Sequence, residues 1–256
     1  MSAVAFISLL LIGIYAIYFF RRNSKVAEVN VATNIDKNLL EQNVLFYKKL
    51  EDTGKRDFEA DIRFFLSHTR ITGVDTEVEE LDRVLIASAA CIPIFYFTKW
   101  RYYNLKEVLL YDDAINHQFE SKGNADRNIL GMVGDGVYNN MMFISKHSLR
   151  LGFSNITDKQ NTAIHEFVHL IDKADGAVDG IPELLLEQKF VLPWIELMYE
   201  KTNEIVKRRS DINAYAYTNK AEFFAVVAEY FFERPALLET KHPKLYAMMV
   251  EIFDTV

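Results

Sequence analysis

The chain has 256 residues, 50% of them hydrophobic and 13% aromatic, with a formal net charge of -7. This content supports one sizeable core and excludes an intrinsically disordered chain. The acidic balance, with no basic block beyond the N-terminal region, argues against a nucleic-acid partner, and the single cysteine, Cys91, excludes an internal disulfide.

Residues 1–20 carry no charged side chain, and Arg21, Arg22 and Lys25 follow at once. About twenty helical residues span roughly 30 Å, the thickness of a bilayer core. A cleaved signal peptide carries its positive charges before the apolar run, not after it. The expectation is therefore a transmembrane helix over 1–22, which would make the membrane a partner. The positive-inside rule then predicts a single-pass protein with its C-terminal bulk in the cytoplasm. Residues 23–38 are polar without a clear period and read as a linker, leaving 39–256 for the folded domain.

From residue 39 the pattern turns helical. Leu40, Val44, Tyr47 and Leu50 fall at three- and four-residue intervals, and "KRDFEADIRFFLSHT" continues in that manner until Gly73 breaks it. "DTEVEELDRVLIASAACIP" predicts a further helix that stops before Pro93. The short aromatic and β-branched runs "IFYFTKWRYY" and "EVLLYDD" predict strands, as does the run 137–145. That last run closely precedes a histidine motif. It is a candidate edge strand along which an extended peptide could lie, the equal alternative being an internal core strand. The C-terminal third is helical again, so the order predicts an α+β domain, mainly helical with a small sheet.

The motif is "NTAIHEFVHLID", with His165 and His169 four apart and Glu166 directly after the first. Thr157 with Gln160 reads as a capping box and Gly176 as a left-handed terminator, predicting a helix over 157–176. On one helical face two imidazoles at this spacing converge on one metal. Glu166 would stand beside it and take a proton from the activated water. The plain alternative is an amphipathic helix with two solvated histidines. Ile164, Val168 and Ile171 oppose it, because neutral histidines in apolar surroundings need partners.

Zinc requires a third protein ligand. Asp175 occupies the position a metzincin would use, but Asp172 stands where that pattern needs a turn-permitting glycine. The downstream stretch "AYAYTNKAEFFAVVAEYFFERP" offers Glu222 and Glu229, seven apart and so on one face, among Phe223, Phe224, Val226, Val227, Tyr230 and Phe231. Carboxylates in so apolar a helix need a counter-charge, which zinc supplies. With Asn219 as N-cap, Glu222 could instead merely complete a capping box. Glu222 is the favoured third ligand. Glu229 or Asp172 is a candidate to orient a ligand from behind.

The two blocks, "HEFVHLIDKADGAVDGIP" and "AYAYTNKAEFFAVVAEYFFERP", resemble the Mlc titration factor A family of glucose-regulated zinc metallopeptidases, of gluzincin type. The resemblance covers roughly residue 39 to the C-terminus, including "LIASAACIPIF" and "YNLKEVLLYDD". It implies a zincin-like fold in which His165, His169 and Glu222 hold Zn2+ and Glu166 is the general base. It also implies that Tyr215, seven residues before Glu222, donates a hydrogen bond to the developing oxyanion. The implied activity is hydrolysis of peptide bonds in peptide or protein substrates, with aminopeptidase action as one form. The stretch before the motif lacks the glycine-histidine pair that often precedes it in the family. The family is linked to titration of a glucose-responsive repressor, which implies an alternative: a membrane-tethered protein that sequesters a transcriptional regulator, its zinc structural or vestigial. Intact Glu166 and Tyr215 favour the enzyme, since a structural site needs neither.

Overall fold

The computed structural model describes residues 35–97, 100–116, 128–155 and 157–253. The compact unit to which they belong begins at Ile35. Helix α1 (Lys37–Asn43) starts on Asp36, whose carboxylate accepts the Asn38 N–H. It is followed by α2 (Leu45–Lys49) and α3 (Asp52–His68). Leu40, Val44, Tyr47, Phe58, Ile62 and Phe65 are all buried, so the three-four spacing read in the sequence is the face turned to the core.

The chain then enters β1 (Arg70–Val74) and α4 (Glu80–Cys91). Glu79 and Asp82 form a reciprocal capping box at the start of α4. Every residue from Val84 to Cys91 is buried, which makes α4 a central helix. Its small residues Ala87, Ala89 and Ala90 let neighbouring elements approach closely, and Ser88 satisfies its hydroxyl by donating to the Val84 carbonyl.

The sheet contains β2 (Glu107–Tyr111), β3 (Gly131–Val133) and β4 (Met141–Ser145) beside β1, in the order β1-β2-β4-β3. β1–β2 and β2–β4 are parallel, and β3 runs antiparallel to β4 with Gly131 opposite Ile144. Parallel neighbours need a crossover, which α4 provides between β1 and β2. Strand alternation divides the side chains. Val108, Leu110, Met142 and Ile144 join the main core, while Tyr111 and Phe143 form a small second cluster with Ile115.

After β4 come α5 (Lys146–Ser154), α6 (Thr162–Asp172), α7 (Gln188–Val206), α8 (Lys220–Glu233), α9 (Pro235–Lys241) and α10 (Pro243–Phe253). α8 is buried from Phe223 to Tyr230 and packs against α6 along much of its length. Apolar residues on nearly all sides fit a helix enclosed by others.

Four expectations are corrected. The fold class included a membrane-spanning helix, but among the described residues no helix is long and apolar enough to cross a membrane. The stretch behind that expectation, 1–22, lies outside the described residues, as does most of the linker expected over 23–38. The single-pass localisation with a cytoplasmic domain falls with it, and the architecture is a mostly helical domain with a small mixed sheet. "IFYFTKWRYY" is not a strand where it is described. Ile92–Ile94 extends α4 as a 3-10 turn around Pro93, burying Ile92 and Ile94 in the core. The run 137–145 is not an edge: Gly136–Tyr138 is a 3-10 turn, and β4 is paired on both sides. "RITGV", which the sequence reading left unassigned, is the edge strand β1 beside β2.

Candidate metal centre

α6 begins later than its sequence suggested. Asn155 and Asp158 accept the N–H groups of Thr157 and Gln160, and Lys159 takes a left-handed φ of 65°. These local turns compete successfully with helix formation. Asn161 becomes the N-cap, its Oδ1 accepting the Ile164 N–H at 3.2 Å. The far end follows the expected punctuation, with a 3-10 turn over Lys173–Asp175 and then Gly176 at φ 101°. α8 starts on Asn219, whose Oδ1 accepts the Glu222 N–H at 2.9 Å. The cap thus uses the Glu222 backbone, and the Glu222 carboxylate turns to the histidines of α6.

Three donor atoms meet there. His165 Nε2 lies 3.0 Å from Glu222 Oε2 and 3.0 Å from His169 Nε2, and His169 Nε2 lies 3.4 Å from Glu222 Oε2. A tetrahedral ion with ligands at about 2.0–2.1 Å separates its donors by roughly 3.3 Å. The triangle has that size. Behind it, His165 Nδ1–H donates to Glu229 Oε1 at 2.7 Å, and Glu229 Oε2 accepts the Asn161 N–H at 2.6 Å. A carboxylate on Nδ1 places the proton there and leaves the Nε2 lone pair facing the triangle.

The charges point the same way. Among the described residues no lysine or arginine forms an ion pair with Glu166, Glu222 or Glu229; the basic groups beside them are the imidazoles of His165 and His169. Burial opposes a charged His165, yet its hydrogen bonds to Glu222 and Glu229 outweigh this and push its pKa well above the usual value. Burial likewise opposes ionisation of Glu222, but hydrogen bonds from His165 and His169 bring it down to about 2. Two imidazole nitrogens and a carboxylate oxygen aimed at one another call for a positive charge between them. A divalent cation meets that demand, so the donor set fits a metal.

The other predicted residues surround this triangle. Glu166 is buried, and burial pushes its pKa up against the pull of the two histidines. Tyr215 lies in a 3-10 turn, Ala214–Tyr217, started by Asn213. Its ring centre is 6.1 Å from that of His165. Burial and the charges of Glu222 and Glu166 raise its pKa, so it keeps its proton to donate. Glu166, Tyr215 and the donor triangle line one cleft of about 1010 Å³, with strand β3 along its wall.

Asp175 and Asp172 lie apart from the triangle. The Asp175 carboxylate accepts the N–H groups of Ala177 and Glu183. Asp172 is fully buried, accepts the Gly180 N–H at 3.0 Å and leaves Oδ1 without a partner; burial pushes its pKa up to about 6. Gly180, at φ 76°, lies so close to the Lys220 carbonyl that no side chain would fit. The end of α6 is thereby tied to the start of α8. Two contributors escaped the sequence reading: Asn161, which caps α6 and holds Glu229, and strand β3. A glycine within a short apolar run, "ILGMV", was the available signal for a close backbone approach.

Two helices facing each other across a His-His-Glu triangle, beside a short mixed sheet, define a protein built around a candidate metal centre. The family model for glucose-regulated metallo-peptidase M90 matches residues 18–254, and the chain belongs to that family. The chain is 27% identical over 216 residues to the uncharacterized protein slr2042 of Synechocystis, covering 80% of this chain and 78% of that one. It is 28% identical over 203 residues to Mlc titration factor A of Cronobacter sakazakii, covering 71% and 72% of the two chains. It is also 34% identical over 101 residues to Mlc titration factor A of Escherichia fergusonii, covering 36% and 37%.

Proposed function

We propose that the chain is a zinc-dependent metallopeptidase whose ligands are His165, His169 and Glu222. The observation that carries this reading is the approach of three donor atoms from two helices to 3.0–3.4 Å, with a buried carboxylate and a tyrosine lining the same cleft. Zinc bound there would act as a Lewis acid toward a water and a peptide carbonyl. Glu166 would accept the proton of the attacking water and hand it to the leaving amine, a role its raised pKa suits. The Tyr215 hydroxyl would donate to the oxyanion. Glu229 would hold His165 in the ligating tautomer. Since β3 is the sheet edge on the cleft, its free N–H and C=O groups would hold an extended peptide by main-chain hydrogen bonds.

The test is metal analysis of the purified protein, joined to cleavage of a peptide panel with and without chelator. Stoichiometric zinc and chelator-sensitive cleavage support the reading; cleavage at the same rate by Glu166→Gln sinks it. Panels with free and with acetylated N-termini separate aminopeptidase from endopeptidase action.

A second reading is favoured by the relatives called Mlc titration factor A. The chain would bind a protein regulator without cutting it. Binding of a regulator undiminished by both Glu166→Gln and metal removal, in a protein that cleaves nothing, would select this reading.

A further inference from the structure

Gly131 is the first residue of β3, in register with Ile144 of β4, and it lies over the N-terminal half of α6. A Cβ built on Gly131 would stand 2.7 Å from Glu166 Cγ, 2.8 Å from Glu166 Oε1 and 2.9 Å from Thr162 Cγ2. All three distances are shorter than packed atoms tolerate, so a side chain here forces a displacement. The Thr162 end of the contact belongs to the first turn of α6, whose backbone Asn161 fixes. Glu166 is only 5% exposed and has His165 and His169 beside it on the same helix. The backbone of Gly131 lies outside the left-handed region, whereas Gly136, Gly176 and Gly180 all have positive φ. Conformational freedom is therefore not the reason for glycine at this position. The reason is space, and the space is filled by the carboxylate of Glu166.

We propose that Gly131 is a positioning residue for Glu166: the absence of a side chain lets the edge strand close directly onto that carboxylate and sets its distance from a peptide lying along the strand. This rests on the peptidase reading. The same strand would then do two things, holding the substrate backbone by its outer edge and seating the base by its face. Because the wall that locates the base is also the wall that locates the scissile bond, their separation is set by one three-residue element.

The test uses Gly131→Ala in the full chain. Alanine suits the backbone conformation, so the variant should fold and keep its metal. Its kcat should fall on the order of 10²-fold, the cost of a displacement near 1 Å at a reacting group, with a much smaller change in KM. Thr162→Ser removes the Cγ2 methyl, the one of the three close contacts that does not involve Glu166. Gly131→Ala should therefore cost as much kcat in the Thr162→Ser background as in the wild type. A crystal structure of Gly131→Ala should show the Glu166 carboxylate displaced, a readout independent of activity. Wild-type kcat in Gly131→Ala, or recovery of its lost kcat by Thr162→Ser, overturns the inference while the peptidase reading stands. A wild-type protein that cleaves no peptide removes that reading and this inference together. An unmoved carboxylate with a retracted β3 also overturns it.

Discussion

Two histidine-carboxylate clusters flank α8, and they differ in how their charge is balanced. On one side His165 lies between Glu222 and Glu229, with Glu166 close by and, among the described residues, no lysine or arginine paired to any of them. On the other side Asp211 accepts from His242 Nε2 at 2.8 Å, Tyr230 OH at 2.9 Å, Lys241 Nζ at 3.0 Å and Lys159 Nζ at 3.2 Å. Adjacent residues of α8, Glu229 and Tyr230, serve the two clusters from neighbouring faces. The Asp211 cluster brings its own cations and is complete. The His165 cluster gathers acceptors and lone pairs and leaves the positive charge to come from elsewhere. The contrast separates a histidine whose charge is balanced within the fold from the one the proposed site uses, although both touch a carboxylate at under 3 Å.

The strongest way to break this contrast is to remove a member of each cluster. Glu222→Ala should lose zinc and all zinc-dependent cleavage, and should no longer be stabilised by added zinc. In the wild type, zinc at a hundredfold excess over its Kd should stabilise the fold by about 2.7 kcal/mol, read as a chelator-reversible rise in Tm. Asp211→Ala should bind zinc as the wild type does; loss of metal there would show that the two clusters are one. Next in size, Glu166→Gln should keep its zinc and lower kcat on the order of 10³-fold, because an amide cannot accept the proton. Metal loss in this variant would make Glu166 a ligand. Tyr215→Phe should also keep zinc and lower kcat on the order of 10²-fold, the cost of one oxyanion donor, and an unchanged kcat would remove that role.

The smallest effects sharpen the Asp211 side. Asp211→Ala should cost about 2–3 kcal/mol in unfolding free energy, since hydrogen bonds to an ionised group are lost from a side chain that is 25% exposed. Burial opposes ionisation of Asp211, but its hydrogen bonds, that from His242 foremost, hold its carboxyl well below the usual range. A depressed carboxyl contributes stability that is fully present above its unfolded pKa and is lost as pH falls through the folded one. Denaturant melts from pH 6 down to pH 2 should therefore show wild type losing this contribution below about pH 4, with a shallower slope in Asp211→Asn. Parallel slopes would show that the lysines do not balance this carboxylate.

Local patterns were legible and distant pairings were not. The spacing of His165, Glu166 and His169 needs only one helix, and Asn219 and Gly176 mark helix ends by their own chemistry, so all of these could be read directly. The start of α6 was misplaced because Thr157 looks like a cap, while Asn155 and Asp158 draw the backbone into turns before Asn161. Which strand is the edge depends on sheet order, and β2 and β4 pair across more than thirty residues, a relation no local period encodes. Asp211 lies in a polar stretch without regular structure; its partners come from three separate parts of the chain. Glu222 was legible for a different reason: a carboxylate within an aromatic helix states an unmet need, whatever its partner turns out to be.

The separation along the chain of the three residues proposed as ligands would add a clock to the site. His165 and His169 are brought together as soon as α6 forms, an event on the order of a microsecond. Glu222 comes from 57 residues beyond His165 and arrives only when α8 docks against α6. Closure over that distance is slower, because chain entropy is lost before the contacts repay it. On the proposed ligand set, a chain with α6 formed and α8 undocked would offer two imidazoles and hold zinc weakly. Tight metal uptake during refolding would therefore mark a single late event, and its rate should track the burial of Trp194, which packs on Phe223 and Phe224 of α8, rather than the earlier rise of helical signal.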